Sequence, residues 1–510
     1  MKICNRVIKK TLWYIGFFFC CWTAQANTNI ETATAKYFKT IQNDPVKVLI
    51  FLQNMPKGGD LHYHGGGGSS AAENLIGYGL GQNFCIDPQT FMVSYDPHCK
   101  NENRLDTIST NEKLYHHIIN AWSMRNFQSL EESAHDHFFA AFAKIEGLAQ
   151  FKYPEILAET MNRAGVQNTS YVELMIIPDH NASGILGRKI GWKHDFAKQR
   201  EALLAGGLSD IVANMQKEMT TLEKKTQDIL ACGTPKAKPG CTVKIYYQYV
   251  ALREQPPESV FAQLLAGFMF ANQDHRFVGI NLAQPEDGYI SMRDYPTQMQ
   301  MIAFLHQIYP SVHISLHAGE LNTNIVSSEG LLFHMHDAIE TAHAERIGHG
   351  VTISMEKNAD QLLKDMAAKK IMVEINLSSN QAILGITGEN HPLPIYLSYH
   401  VPIALSTDDE GILRTTLTLE YQKAVLNYHL DYSTLKQLVR NSIYYSFIPG
   451  KNLWANDRYQ AMTSSCANDT LEKQSISEHC QQFLSANEKA MVQWDLEKRF
   501  REFEISVIPA

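Results

Sequence analysis

The chain of 510 residues contains no C-x-x-C, no tandem repeat, no low-complexity tract and no surplus of basic residues. Each absence removes a class. Without C-x-x-C, a thiolate zinc site is not expected. A formal charge of −8, with 45 Lys and Arg against 53 Asp and Glu, argues against a nucleic-acid partner, which requires a basic face. Beyond residue 26 no apolar run approaches the ~20 residues of a membrane span. What remains is a length suited to one large domain with extensions, or to two or three small ones.

Lys2, Arg6, Lys9 and Lys10 form a basic segment before an apolar run, TLWYIGFFFCCW (11–22), and Ala24-Gln25-Ala26 follows it. This is the pattern of a secretory signal. Residues 1–26 are therefore expected to be cleaved and the product to be secreted or periplasmic, free of the membrane; an uncleaved anchor is the alternative. Cys4, Cys20 and Cys21 leave with the signal, and six cysteines remain in three close pairs. In an exported chain these predict the disulfides Cys85–Cys99, Cys232–Cys241 and Cys466–Cys480, although six cysteines allow fifteen pairings.

Eight short β-branched or aromatic runs alternate with helical patterns: 59–65, 170–177, 243–250, 276–283, 311–319, 345–350, 370–377 and 401–409. Eight strand-then-helix units predict a (β/α)8 TIM barrel over 55–450. Residues 27–54 form an N-terminal helical extension, a helical insertion follows strand 1, and 451–510 form a C-terminal helical extension. In these runs the chemically capable side chains sit at C-terminal ends: His62 and His64, His317 with Glu320, His349, and Asp408 with Asp409. A barrel gathers those ends around one mouth.

Three H-x-H triplets occur: His62/His64, His135/His137 and His334/His336. Residues i and i+2 share a side on a strand but diverge on a helix. The second and third triplets lie in helical patterns, so only His62 and His64 can share one ion. His317 and Asp408 complete a set of three imidazoles and a carboxylate. That set suits one zinc ion per chain with a position left for water, whose pKa zinc lowers towards ~7. A binuclear site with a lysine bridge after strand 4 finds no lysine in GINLAQPED. Glu320 reads as a general acid with a raised pKa, or as a helix N-terminal glutamate facing the dipole. His349 reads as a group that orients the zinc water or takes its proton. Asp409 points to substrate, unless the pair is ordinary turn chemistry.

MPKGGDLHYH (55–64), SLHAGE (315–320), RIGHG (346–350) and ALSTDDEG (404–411), in this order, resemble the adenosine deaminase family of metal-dependent amidohydrolases. LTLEYQKAV (417–425) and LKQLVRNSIYYSF (435–447) are similar to its secreted branch, the adenosine-deaminase-related growth factors. The resemblance covers roughly residues 50–450. It implies a (β/α)8 barrel and one zinc held by His62, His64, His317 and Asp408. It also implies hydrolytic deamination of adenosine, and of 2′-deoxyadenosine, to the 6-oxo nucleoside and ammonia. Glu320 would protonate purine N1, His349 would steer or deprotonate the water attacking C6, and Asp408 would bind both metal and water. Asp409 would accept a hydrogen bond from the imidazole side of the purine. The secreted branch further implies a homodimer through the N-terminal extension.

Two positions depart from the family. Gln284 stands where a glycine amide commonly meets the purine, and Gly66 stands where classical members place an aspartate on the ribose 5′-hydroxyl. A reshaped sugar end would admit 5′-modified nucleosides. A related amidohydrolase acting on a free purine base, or a secreted signalling protein, are the alternatives. The unrelated base deaminases pair H-x-E with P-C-x-x-C; His343-Ala344-Glu345 has no such partner here.

Overall fold

The computed structural model describes residues 30–129, 131–471 and 476–508, so the expected signal at 1–26 lies outside the described residues. Eight parallel strands form the core: β1 (Gly58–His64), β2 (Thr169–Ile176), β3 (Lys244–Leu252), β4 (Phe277–Ala283), β5 (His313–Ala318), β6 (Arg346–His349), β7 (Met372–Ile375) and β8 (Ile403–Leu405). They pair in chain order, as a (β/α)8 barrel requires. Strands such as FVGINLA (277–283) are buried along their whole length, because helices cover the outside and side chains fill the inside. The last strand is shorter than the expected 401–409. After Leu405 the chain leaves the ladder, and Asp408 turns with φ +63°.

The seam between β8 and β1 closes through few backbone bonds. Asp408 N–H donates to the His62 carbonyl at 2.9 Å. The Thr407 hydroxyl and N–H donate to Asp60 at 2.6 and 3.3 Å.

The insertion after β1 is not wholly helical. Among helices Ala72–Gly79, Glu112–Ala121 and Ala134–Ala149 lies an antiparallel hairpin, Phe84–Ile86 with Val93–Tyr95. Its turn is made by Asp87, whose carboxylate accepts from Gln89 and Thr90 N–H, a turn device legible as D-P-Q-T. The structure joins Cys85 to Cys99, Cys232 to Cys241 and Cys466 to Cys480, with Cα–Cα separations of 5.8, 5.5 and 4.7 Å. The insertion carries its own apolar cluster, including Leu75, Phe84, Leu105, Trp122 and Ile145.

The two extensions meet on the barrel's flank. Helix Pro45–Asn54 is capped by Asp44, which accepts from Val46 and Lys47 N–H, and begins with proline. Its Phe51 ring lies 4.8 Å from Phe38, 5.7 Å from Tyr432 and 4.9 Å from Phe503. The N-terminal extension thus buries its apolar side within its own chain, and Val46 and Ile50 remain exposed. Among the described residues no helix is long and apolar enough to cross a membrane.

Candidate metal and active centre

Every chemically capable residue expected at the mouth converges there. His62 and His64 end β1, His317 lies in β5, His349 ends β6, and Asp408 and Asp409 follow β8. His64 Nε2 is 3.1 Å from His317 Nε2 and 3.3 Å from Asp408 Oδ1. His62 Nε2 is 3.9 Å from Asp408 Oδ1. The ring of His62 lies against Gly348, where a Cβ would come within 2.6 Å of it, so the glycine of RIGHG makes room for that imidazole. Gln284, His349 and Asp408 all adopt positive φ, at 83°, 68° and 63°. Non-glycine residues held there are a recurrent mark of functional sites.

The donor set fits a cation. His62 Nδ1 lies 2.8 Å from the Glu374 carboxylate and His317 Nδ1 lies 2.9 Å from Asn281 Oδ1. Asn281 Oδ1 also accepts from His317 and Leu282 N–H, so it is an acceptor and His317 Nδ1 carries the proton. Both rings therefore turn a bare Nε2 into the cluster, and His62 Nε2 is buried with no partner. Two such lone pairs beside a carboxylate call for a positive charge between them. Burial pushes His64 down to about 4 and His317 well below its usual range, which keeps those imidazoles neutral. Burial also disfavours charge on His62, but Glu374 and Asp408 outweigh it and raise its pKa. A proton and a metal ion compete for that same lone pair.

The three carboxyl groups beside the cluster are driven apart. Burial opposes charge on Asp408, yet the imidazoles of His64, His349 and His62 hold it down to about 2. Burial, then the Asp408 charge, push Glu320 and Asp409 far above the carboxylate range. The directions favour an acceptor at Asp408 and proton carriers at Glu320 and Asp409, the kind of divergence by which one site runs acid and base roles together.

Several residues that shape this geometry are not apparent from the motifs. Glu286 accepts from Gly319 and Glu320 N–H at 3.0 and 2.7 Å and from His334 Nδ1 at 2.6 Å, clamping the HAGE turn. A second relay fixes His349. Leu393 N–H donates to His391 Nδ1, so His391 Nε2–H donates to Asn380 Oδ1 at 3.0 Å. The Asn380 amide then donates to His349 Nδ1 at 3.0 Å. Neutral His349 is left with its proton on Nε2, facing Glu320 at 3.6 Å and Asp408 at 3.7 Å. The remaining triplets lie on helices, as expected: His135 pairs with Asp287 and His334 serves Glu286, and neither triplet joins the cluster.

A cavity of about 900 Å³ opens over the cluster, at the upper end of typical ligand pockets. His64, His317, Glu320, Asp408 and Asp409 form its polar floor. Gly66, at φ +89°, and Gln284 lie on its walls. The Gln284 side-chain oxygen is occupied by Glu254 N–H at 3.0 Å.

The sequence model of the family described as adenosine deaminase matches residues 136–455. An adenosine deaminase of Clostridium perfringens (strain 13) is 27% identical over 236 residues, 46% of this chain and 64% of that protein. One of Enterococcus faecalis is 30% identical over 158 residues, 30% of this chain and 43% of that protein. The chain thus spans less than two thirds of the length of these curated relatives. In fold it is similar to the ADAL–IMP complex, with TM-score 0.53, 18% identity and coverage of 89% of this chain and 99% of the other. It is likewise similar to Arabidopsis ADAL complexed with GMP, with TM-score 0.52, 18% identity and coverage of 78% and 94%.

Proposed function

The chain belongs to the adenosine deaminase family, and we propose that it is an exported, zinc-dependent deaminase of adenosine and 2′-deoxyadenosine. The observation that carries this reading is the convergence of His62, His64, His317 and Asp408, with His62 Nε2 buried and unpartnered, beneath a cavity that Glu320 and Asp409 also line. His62, His64, His317 and Asp408 would hold the zinc. When bound, it supplies the Lewis acidity that makes water nucleophilic near neutral pH.

The chain's own groups do the rest. Asp408, ionised, accepts a proton as water oxygen bonds to purine C6. Glu320 delivers its proton to N1, drawing electrons from C6. His349, with Nε2–H aimed at this space, orients the incoming oxygen as a donor and is not the base. The acceptor role expected of Asp409 does not suit adenine N7, which has a lone pair and no hydrogen; Asp409 keeps its proton and donates. Asp408 then passes its proton to N6, the C6–N6 bond breaks and ammonia leaves, and the C6 hydroxyl returns its proton to Glu320, giving inosine or 2′-deoxyinosine with N1 protonated. Three disulfides support export, since such bonds persist in oxidising compartments.

The test is ammonia release by the zinc-loaded protein from adenosine, 2′-deoxyadenosine, 5′-methylthioadenosine, AMP and adenine. The two unmodified nucleosides are expected to be turned over best, and Glu320→Gln to lower the rate by about 10²–10⁴-fold. Turnover of adenine alone, or undiminished turnover by Glu320→Gln, would overturn the reading.

A further inference from the structure

Below the metal cluster the barrel interior holds a closed path of polar side chains. His62 Nδ1–H donates to Glu374 at 2.8 Å, and Glu374 accepts from Arg346 Nε at 2.7 Å. Arg346 pairs with Glu173 through Nη2 at 2.5 Å. Glu173 accepts from Gln248 Nε2 at 2.9 Å, and Gln248 Oε1 accepts from Asn281 Nδ2 at 3.1 Å. Asn281 Oδ1 accepts from His317 Nδ1 at 2.9 Å. The path closes at the cluster, where the His62 and His317 rings lie 4.3 Å apart. These side chains come one each from β1, β7, β6, β2, β3, β4 and β5. None of the seven is more than 5% exposed.

One ion pair sets the direction of the hydrogen bonds on both sides of this path, and at Asn281 the Leu282 and His317 N–H groups hold the same sense. Glu173 can only accept, so the Gln248 amide turns its nitrogen towards it and its oxygen towards Asn281. Asn281 donates to Gln248 and offers its own oxygen to His317, the orientation that the two backbone N–H groups also favour. On the other side Arg346 can only donate, which keeps Glu374 an acceptor for His62. We infer that the buried Glu173–Arg346 pair is the positioning device of the metal centre. It sets the tautomer, and so the aim of Nε2, of two ligands at once. Arg346 is itself held by the Tyr445 carbonyl at 3.1 Å and by the Phe447 ring, 3.7 Å from its guanidinium carbon. The pair thus links the segment that follows helix Tyr432–Tyr444 to the cluster without touching it.

This inference rests on the reading that the cluster holds a metal. Zinc affinity by chelator competition tests it without recourse to turnover. Gln248→Met removes the amide that orients Asn281 while keeping the chain length. It is expected to weaken zinc binding about 10–100-fold, the usual cost of losing an outer partner of a ligand. Tyr171→Phe also removes a buried hydrogen bond to Glu173, at 2.8 Å, but lies outside the path. It is expected to lower the thermal midpoint and leave zinc affinity unchanged. In the Gln248→Met background, Asn281→Asp restores an obligate acceptor for His317 and is expected to recover affinity, although it buries another charge. Wild-type affinity in Gln248→Met, equal weakening in Tyr171→Phe, or no recovery by Asn281→Asp each overturns the inference while the metal reading stands. A wild type that binds no zinc overturns both.

Discussion

Gly68 has no Cβ, and the Asp409 carboxylate occupies the space one would need. In sequence the glycine run after His64 stands out because Gly66 replaces an aspartate at the sugar end; in the structure Gly68 is also the surface against which the Asp409 carboxyl rests. Asp409 Oδ1 is buried there without a partner, free to meet a ligand. Adding one methyl at residue 68 forces Asp409 aside while the histidines stay in place. A displacement on the order of 1 Å at a reacting constellation costs about 10²-fold in rate. Gly68→Ala is therefore expected to lose about that factor in kcat/KM for adenosine, with zinc content unchanged. Full activity in this variant would detach Asp409 from purine recognition.

The elements differ in how readily they announce themselves. Eight strands are legible because apolar β-branched runs recur between helical patterns, and the candidate ligands are legible because they stand at or just beyond strand ends. Glu374, in MVEI, carried a signal of its own: a carboxylate in the middle of a four-residue strand buried throughout demands a partner. Asn281 in the buried FVGINLA is a quieter case of the same kind. His391 and Asn380 gave no such sign, since a loop residue and a residue of helix Leu377–Leu384 meet only because the two segments approach in space. Helix Ala134–Ala149 shows how an element outside the barrel joins the mouth. His135 Nε2 lies 3.0 Å from Asp287, three residues past Gln284 of the cavity wall, and its Nδ1 lies 3.0 Å from Asp136. Burial lowers the His135 pKa, but hydrogen bonds to Asp287 and Asp136 outweigh it, so the folded value stands above the unfolded ~6.5. Such a group stabilises the fold fully below the unfolded pKa and loses that contribution as pH rises through the folded one. His135→Gln keeps a neutral donor and removes the charge. It is expected to lower the thermal midpoint at pH 5.5 and to match wild type at pH 9; a deficit that persists unchanged at pH 9 contradicts a charged latch.

For the molecule as a whole, the candidate ligands are distributed around the barrel rather than grouped on one element. His62 and His64 end the first strand, His317 lies in the fifth, and Asp408 follows the eighth. The seam between last and first strands has a single isolated bridge, Tyr63 with Asp408, and a β8 of three residues. Side chains compensate: Asp60 reaches Thr407, and the Ser406 hydroxyl accepts from Leu61 N–H at 3.3 Å. An ion shared by β1, β5 and Asp408 would tie this seam, so its removal acts on the fold and not only on chemistry. A ligand bound by the native state alone, at 1,000 times its Kd, stabilises by about 4 kcal/mol. Chelation of zinc is therefore expected to lower the thermal midpoint and to speed amide exchange in β1 and around residues 403–408. The hairpin Phe84–Tyr95, held by its own disulfide and apolar cluster, should exchange as before. An unchanged midpoint after verified zinc loss, or faster exchange confined to the insertion, would show that the seam is held by Asp60, Ser406 and Thr407 without the metal.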